Sequence, residues 1–308
     1  MKIGFLTACL PKIELADLVK WASQAGFRSL ELAAWPVKSS RDYQARQIDA
    51  ANFTKDYASR LKEIFAENNM SISAMAYYDN NLHPDKKKRN SYHKHLKKVI
   101  DAASMLNVKL VGTFVGGRPD KKPDQIIKEF GLVFKDILKY AADKNVEIMI
   151  ENCPMENWVK FGLPGNYAYS PELWEALFNE LPDKNFGLNF DPSHLYWLGI
   201  DYLQAAKDFS SKIFHVHAKD TEILSDGVYK YGIFGQQVSA NPWKSGWWRY
   251  RMPGLGEIDW QKFISALQEN GYNYVMSIEH EDPVWEGSED KVKKGLQLGL
   301  KHLSQFIV

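Results

Sequence analysis

At 308 residues, with 45% hydrophobic and 25% charged side chains, the chain has the composition of a globular protein with a sizeable core. Its length suits two ordinary domains or one large α/β barrel, and a formal charge of +1 leaves no surplus of Lys or Arg for a nucleic-acid partner. Two cysteines, Cys9 and Cys153, give no disulfide framework; without a signal-peptide core or a run of about 20 apolar residues, a cytoplasmic location with no membrane partner is expected.

Short β-like runs alternate with longer helical patterns from end to end. In chain order, strands are expected at 2–8, 28–34, 71–77, 109–115, 147–152, 186–191, 213–219 and 274–280. Helices are expected near 13–25, 52–69, 86–106, 124–145, 171–181, 201–210, 259–270 and 289–306. The fourth helix shows the period well: Ile126, Phe130, Val133, Phe134, Ile137 and Ala141 form one stripe. Gly26, Asn68-Asn69, Asn107, Asn145 and Gly271 supply C-cap chemistry. The basic stretch Lys86-Lys87-Lys88-Arg89, with Lys94, Lys97 and Lys98, reads as a solvated helix face.

Eight strands alternating with eight helices is the count of a (β/α)8 TIM barrel, here a single domain over 1–308. A doubly wound dinucleotide fold is disfavoured, because Thr7-Ala8-Cys9-Leu10-Pro11 after strand one could not cradle a pyrophosphate. Two stretches break the rhythm. Residues 35–51 form a polar excursion, and 220–257 form a long aromatic-rich loop after strand seven. The second is expected to be structureless and functional, its rings either stacking on a sugar or burying a partner subunit, which makes a homo-oligomer an expectation.

Four apolar runs close on metal-binding side chains: Ile148-Met149-Ile150-Glu151, Gly187-Leu188-Asn189-Phe190-Asp191, Ile213-Phe214-His215-Val216-His217 and Val275-Met276-Ser277-Ile278-Glu279. In a barrel the C-terminal ends of strands converge on one mouth, so Glu151, Asp191, His217 and Glu279 are the expected metal ligands. Three carboxylates and one imidazole suit Mn2+ first, with Mg2+ or Co2+ as alternatives. In strand seven, period-2 alternation sends His215, His217 and Lys219 to one face and Phe214 and Val216 to the other. His194 lies within reach of a metal-bound ligand, and Glu156 is either a hydrogen-bond partner for a substrate hydroxyl or a surface Glu.

The segments Ile150-Glu151-Asn152, Asp191-Pro192-Ser193-His194, His215-Val216-His217-Ala218-Lys219-Asp220, Pro253-Gly254-Leu255-Gly256-Glu257-Ile258-Asp259 and Ser277-Ile278-Glu279 resemble the sugar phosphate isomerase/epimerase superfamily. These are xylose-isomerase-like barrels that include ketose 3-epimerases, inosose dehydratase and, more distantly, endonuclease IV. The resemblance covers essentially the whole chain and implies metal ligands at Glu151, Asp191, His217 and Glu279 and a substrate-facing His194. It implies that Glu151 and Glu279 are the catalytic pair, exchanging protons with an enediolate of a keto sugar or related polyol. Isomerisation or epimerisation is the leading outcome, and elimination by a lyase or dehydratase the alternative.

Ketose 3-epimerases carry an Arg soon after the His-x-His segment. Here Lys219-Asp220 stands in that place, closer to inosose-dehydratase-like members, with Arg249 and Arg251 much further on. Lys219 is expected either to polarise a substrate oxygen or to pair with Asp220, and Arg251 is a further substrate-binding candidate. The segment Tyr77-Tyr78-Asp79-Asn80-Asn81-Leu82-His83-Pro84-Asp85 resembles members acting on 3-keto-glycosides, including C-glycoside-cleaving subunits. It adds Asn81 and His83 as substrate contacts, with a helix-capping turn as the other reading, and opens the option of a hetero-complex. An endonuclease-IV-like repair enzyme would need more ligands and a basic groove, and a non-catalytic sugar-binding barrel would not need four intact ligands.

Overall fold

In the computed structural model, which describes residues 1–37, 47–118, 120–155, 164–238 and 245–307, eight parallel strands close into a barrel. They are β1 (Lys2–Leu6), β2 (Ser29–Ala33), β3 (Ser71–Asn80), β4 (Leu110–Phe114), β5 (Glu147–Glu151), β6 (Phe186–Phe190), β7 (Ile213–Ala218) and β10 (Val275–Ile278), hydrogen-bonded in that order, with β10 returning to β1. Seven lie within a stretch expected to be a strand; β3 starts where expected but runs on to Asn80, three residues past the expected end at 77.

Around them pack α1 (Leu15–Ala25), α2 (Lys55–Glu67), α3 (Lys86–Leu106), α4 (Pro123–Ala142), α5 (Pro171–Glu180), α6 (Pro192–Trp197), α7 (Tyr202–Asp208), α9 (Trp260–Glu269) and α10 (Glu289–Leu303). The stripe read on α4 is the face it buries: Ile126, Phe130, Phe134, Ile137 and Ala141 are buried, and Phe130 and Phe134 pack on Phe186 of β6. Gly26, Asn69, Asn107, Asn145 and Gly271 all take positive φ, as the C-cap reading requires. The lysines at 86–88 are exposed, as a solvated face should be.

Residues 220–257 correct an expectation. Instead of a structureless loop, the segment opens with β8 (Asp220–Ile223) and α8 (Ser225–Tyr231) and returns as β9 (Trp248–Arg251), antiparallel to β8 from Asp220↔Arg251 to Ile223↔Trp248. Apolar stacking fixes this hairpin. The Trp248 indole lies on Trp197 of α6 at 4.5 Å and 8° between planes, and Trp247 and Trp248 are buried. Tyr229, Ile233 and Phe234 remain exposed. Trp243 and Lys244 of the aromatic segment, and most of the 35–51 excursion, lie outside the described residues.

Asp220 organises the turn behind the hairpin. Its buried carboxylate accepts from Thr221 N at 2.8 Å, Gly254 N at 2.9 Å, Ile258 N at 3.0 Å and Trp260 Nε1 at 2.8 Å. The segment Pro253–Asp259 is therefore a wrapping around one carboxylate. At Gly256 a Cβ would sit 2.4 Å from Asp220 Oδ1 and 2.5 Å from Thr221 O, so any side chain pushes the wrapping open. Asp220→Ala strands four N–H donors and is expected to cost about 3 kcal/mol or more, read as a lower urea midpoint at unchanged m. Among the described residues no helix is long and apolar enough to cross a membrane.

Candidate metal centre

The strand ends expected to converge do so. Glu151 is the last residue of β5, Asp191 follows β6, His217 is the penultimate residue of β7, and Glu279 follows β10. One donor atom from each lies within 4.8 Å of the others. His217 Nδ1 is the hub, 2.8 Å from Glu151 Oε1 and 3.2 Å from Glu279 Oε2. Asp191 holds its place through its other oxygen, which accepts from Ser193 N at 2.8 Å and caps α6. Its Oδ2 is buried with no hydrogen-bond partner among the described residues.

Lys219 reaches the same point. Its buried Nζ lies 2.6 Å from Glu279 Oε2, 3.1 Å from Glu281 Oε2 and 3.3 Å from Asp191 Oδ2. Of the two roles expected for Lys219, pairing with Asp220 is therefore corrected, because Asp220 is occupied by the N–H groups behind the hairpin. His194, on α6, turns Nε2 toward Asp191 Oδ2 at 3.3 Å and Glu151 Oε1 at 3.7 Å. Its Nδ1 is bonded to Tyr250 OH at 2.9 Å, and the Lys219 ammonium sits 4.4 Å from the centre of the Tyr250 ring. Tyr250 is on β9, so the hairpin places a ring against two site residues.

Beneath the quartet is a second polar layer. Glu31 of β2 is fully buried and accepts from Tyr78 OH at 2.8 Å, Ser277 Oγ at 2.8 Å and His217 Nε2 at 2.9 Å. Asn189 Nδ2 donates to Tyr78 OH at 2.7 Å, and Asn189 Oδ1 meets His215 Nδ1 at 3.0 Å. Tyr78 fits across the interior because β4 carries Gly112, where a Cβ would lie 2.3 Å from its hydroxyl. The face assignment in β7 is half corrected. The register slips between Leu188 and Asn189, and Phe214 packs on Ala74, Leu110 and Met149 although its neighbour His215 is also buried.

Charge is divided unevenly. Burial, with the Glu279 carboxylate beside it, pushes Glu151 up to about 8, and burial pushes Asp191 up to about 6 against the pull of Lys219. Burial acts on Glu279 in the same direction, but Lys219 and His217 outweigh it and hold Glu279 well below the carboxylate range. His217 is desolvated, yet Glu31, Glu279 and Glu151 hold it well above the usual imidazole range. Burial, reinforced by Lys219, pulls His194 well below it. Three carboxylates crowded around one imidazole, with no hydrogen bond to Asp191 Oδ2 among the described residues, form a donor set that could hold a divalent cation.

The remaining expected residues sit elsewhere. Asn81 is buried, donating to Thr113 Oγ1 at 2.9 Å and Phe114 O at 2.7 Å. His83 Nδ1 accepts from Asp85 N at 3.0 Å beside the cap of α3. Arg251 is bonded to Glu222 and, at 3.0 Å, to Asp282 Oδ2. None of these contacts involves the quartet. Glu156 lies outside the described residues. Sequence reading missed Glu31, Glu281 and Tyr250; a Glu between buried leucines (Leu30-Glu31-Leu32) was the one available signal.

The sequence profile of a family described as xylose isomerase-like TIM barrel matches residues 19–303. Uncharacterized protein YfiH of Bacillus subtilis (strain 168) is 27% identical over 298 residues, covering 92% of this chain and 93% of that protein. Inosose dehydratase of Clostridium botulinum (strain Alaska E43 / Type E3) is 24% identical over 236 residues, 63% of this chain and 76% of its own. The solved structure of the IolI protein with a bound zinc atom superposes with a TM-score of 0.71 at 20% identity, over 100% of this chain and 99% of that one. D-psicose 3-epimerase, solved in the presence of D-fructose, also gives 0.71, at 12% identity over 100% and 99%. At these identities the two structures speak for the fold.

Proposed function

The chain belongs to the xylose isomerase-like TIM barrel family, and from that premise we propose that it is a divalent-metal-dependent sugar isomerase or epimerase acting on a keto sugar or related polyol. The observation that carries this reading is the convergence of four strand-end ligand side chains, one donor atom from each within 4.8 Å of the others. Glu151 and Glu279 both touch His217 Nδ1, at 2.8 Å and 3.2 Å. Two carboxylates beside one ion site can each exchange a proton with a substrate carbon.

Glu151, Asp191, His217 and Glu279 would hold the ion, with Mn2+ the best match to the donor set and Mg2+ or Co2+ the alternatives. When bound, a divalent cation supplies Lewis acidity toward the carbonyl and hydroxyl oxygens of the substrate. The chain's own groups do the proton work. Glu279, ionised, takes a proton from the carbon beside the carbonyl. Glu151, with a proton taken up from solvent after the ion has displaced its resting one, returns a proton to that carbon from the β5 end of the site. His194 stays neutral and directs Nε2 at the quartet, where it binds a substrate oxygen. Lys219, kept charged by Glu279, Glu281 and Asp191, favours negative charge developing on that oxygen.

The test is deuterium uptake in D2O with Mn2+ or Mg2+ against ketoses, inososes and 3-keto-glycosides, read by mass spectrometry. Carbon-bound deuterium beside the carbonyl, with mass otherwise conserved, is expected. Exchange that is equally fast with and without the protein across the panel would sink the reading.

Elimination of a β-substituent is a second reading. It is favoured by Lys219 and His194 converging beside the quartet, where they can stabilise a leaving oxygen, and by the dehydratase among the relatives. A product lighter by one water or an aglycone decides for it.

A further inference from the structure

Two clusters of ligand-type side chains share one histidine. Glu31, His215 and His217 bring donor atoms within 4.8 Å of one another, as the quartet does, and His217 belongs to both. The imidazole stands between them, Nδ1 toward Glu151 and Glu279 and Nε2 toward Glu31 Oε2 at 2.9 Å. A neutral imidazole has one lone pair, so it can serve one cluster as a ligand and must act as a hydrogen-bond donor to the other.

We propose that Glu31 is a positioning residue, which keeps the proton of His217 on Nε2 and presents Nδ1 to the metal quartet, and that the lower cluster is a support rather than a second ion site. The inference rests on the metal centre proposed above. It follows from the direction of each hydrogen bond in the lower layer. A carboxylate only accepts, so Tyr78, Ser277 and His217 must all donate to Glu31. Tyr78, having spent its proton, accepts from Asn189 Nδ2. That fixes the amide the other way round toward His215, whose Nδ1 must donate to Asn189 Oδ1. Every orientation in the chain Glu31–Tyr78–Asn189–His215 is thus dictated by one acid.

The lower cluster is poorly suited to an ion of its own. Three hydrogen bonds already engage Glu31, two of them on Oε2, and both it and His215 are fully buried. In the quartet Asp191 Oδ2 accepts no hydrogen bond among the described residues, with Lys219 Nζ and His194 Nε2 each 3.3 Å away, and Glu279 keeps partial exposure. A carboxylate behind a ligating imidazole holds the ring's tautomer and angle, and its loss typically weakens metal binding by about 10–100-fold.

The experiment is nitrogen NMR of uniformly folded, [15N]histidine-labelled protein loaded with Zn2+ as a diamagnetic probe, alongside calorimetric titration with Mn2+. His217 is expected to carry its proton on Nε2, His215 on Nδ1, and the titration to end at one ion per chain. Glu31→Gln, checked for native circular dichroism, is expected to bind Mn2+ about 10–100-fold more weakly. A second tightly bound ion, a loaded His217 protonated on Nδ1, or a folded Glu31→Gln variant with unchanged affinity would each overturn the inference while leaving the quartet standing. Wild-type protein that binds neither metal would overturn the proposed function, and this inference with it.

Discussion

Glu279→Gln is expected to slow carbon–deuterium exchange by about 10²–10⁴-fold, the usual contribution of a positioned base. The amide cannot take a proton from carbon, and it removes the negative charge that Lys219 and His217 both face. Glu151→Gln should behave differently. Gln there cannot carry the proton that Glu151 returns to carbon, and it takes one carboxylate from the ion's ligand set, so the comparison is made at saturating ion. Removal of the proton should then survive better than its return. Exchange of one face of the substrate would persist while net conversion to the epimer falls by a comparable 10²–10⁴-fold, again about the size of a general-acid term. Groups acting as a unit are not additive, so the double variant should be little worse than the poorer single one. Two folded single variants that both keep full exchange would remove the carboxylates from the chemistry.

The barrel and the quartet were readable for the same physical reason. A parallel strand buried on both faces is a nearly unbroken apolar run, so Glu151, Asp191, His217 and Glu279 stand out against Ile, Val and Phe neighbours. Strand order then sets which ends are adjacent. Glu31 escaped because its partners are far away in sequence: Tyr78, His217 and Ser277 reach it from three other strands. Tyr250 escaped because aromatic spacing says nothing of a hairpin that folds back from β8 and lays the ring over Lys219. Asn81 shows the reverse difficulty. Its neighbourhood reads equally as a ligand segment or a turn, and its hydrogen bonds run to Thr113 and Phe114 of the next strand.

Binding of a divalent ion is expected to release about two protons per chain at pH 7, because ligands must be deprotonated before they coordinate. Glu151 supplies one, its carboxyl being raised to about 8, and His217 supplies the other, its imidazole being held well above the usual range. Asp191, raised only to about 6, is mostly ionised at pH 7 and adds little. The sign for stability follows directly. In the ion-free chain Glu151, Asp191 and His217 all have folded pKa values above their unfolded ones, so their stabilisation is full at low pH and lost as pH rises, through about 6 for Asp191 and about 8 for Glu151. Glu279 runs the other way, its depressed pKa confining its loss to acid. Ion binding replaces the displaced protons, so it should add most where they are already leaving. At a free ion concentration of about 100 Kd the gain is about 2.7 kcal/mol, and Kd itself falls as pH climbs. The thermal midpoints of loaded and ion-free protein should therefore diverge from pH 6 to pH 8.5. Calorimetry in two buffers of unlike ionisation enthalpy counts the protons directly. A count near zero at pH 7, or midpoints that run parallel across that range, would show that the ion does not replace protons on Glu151 and His217.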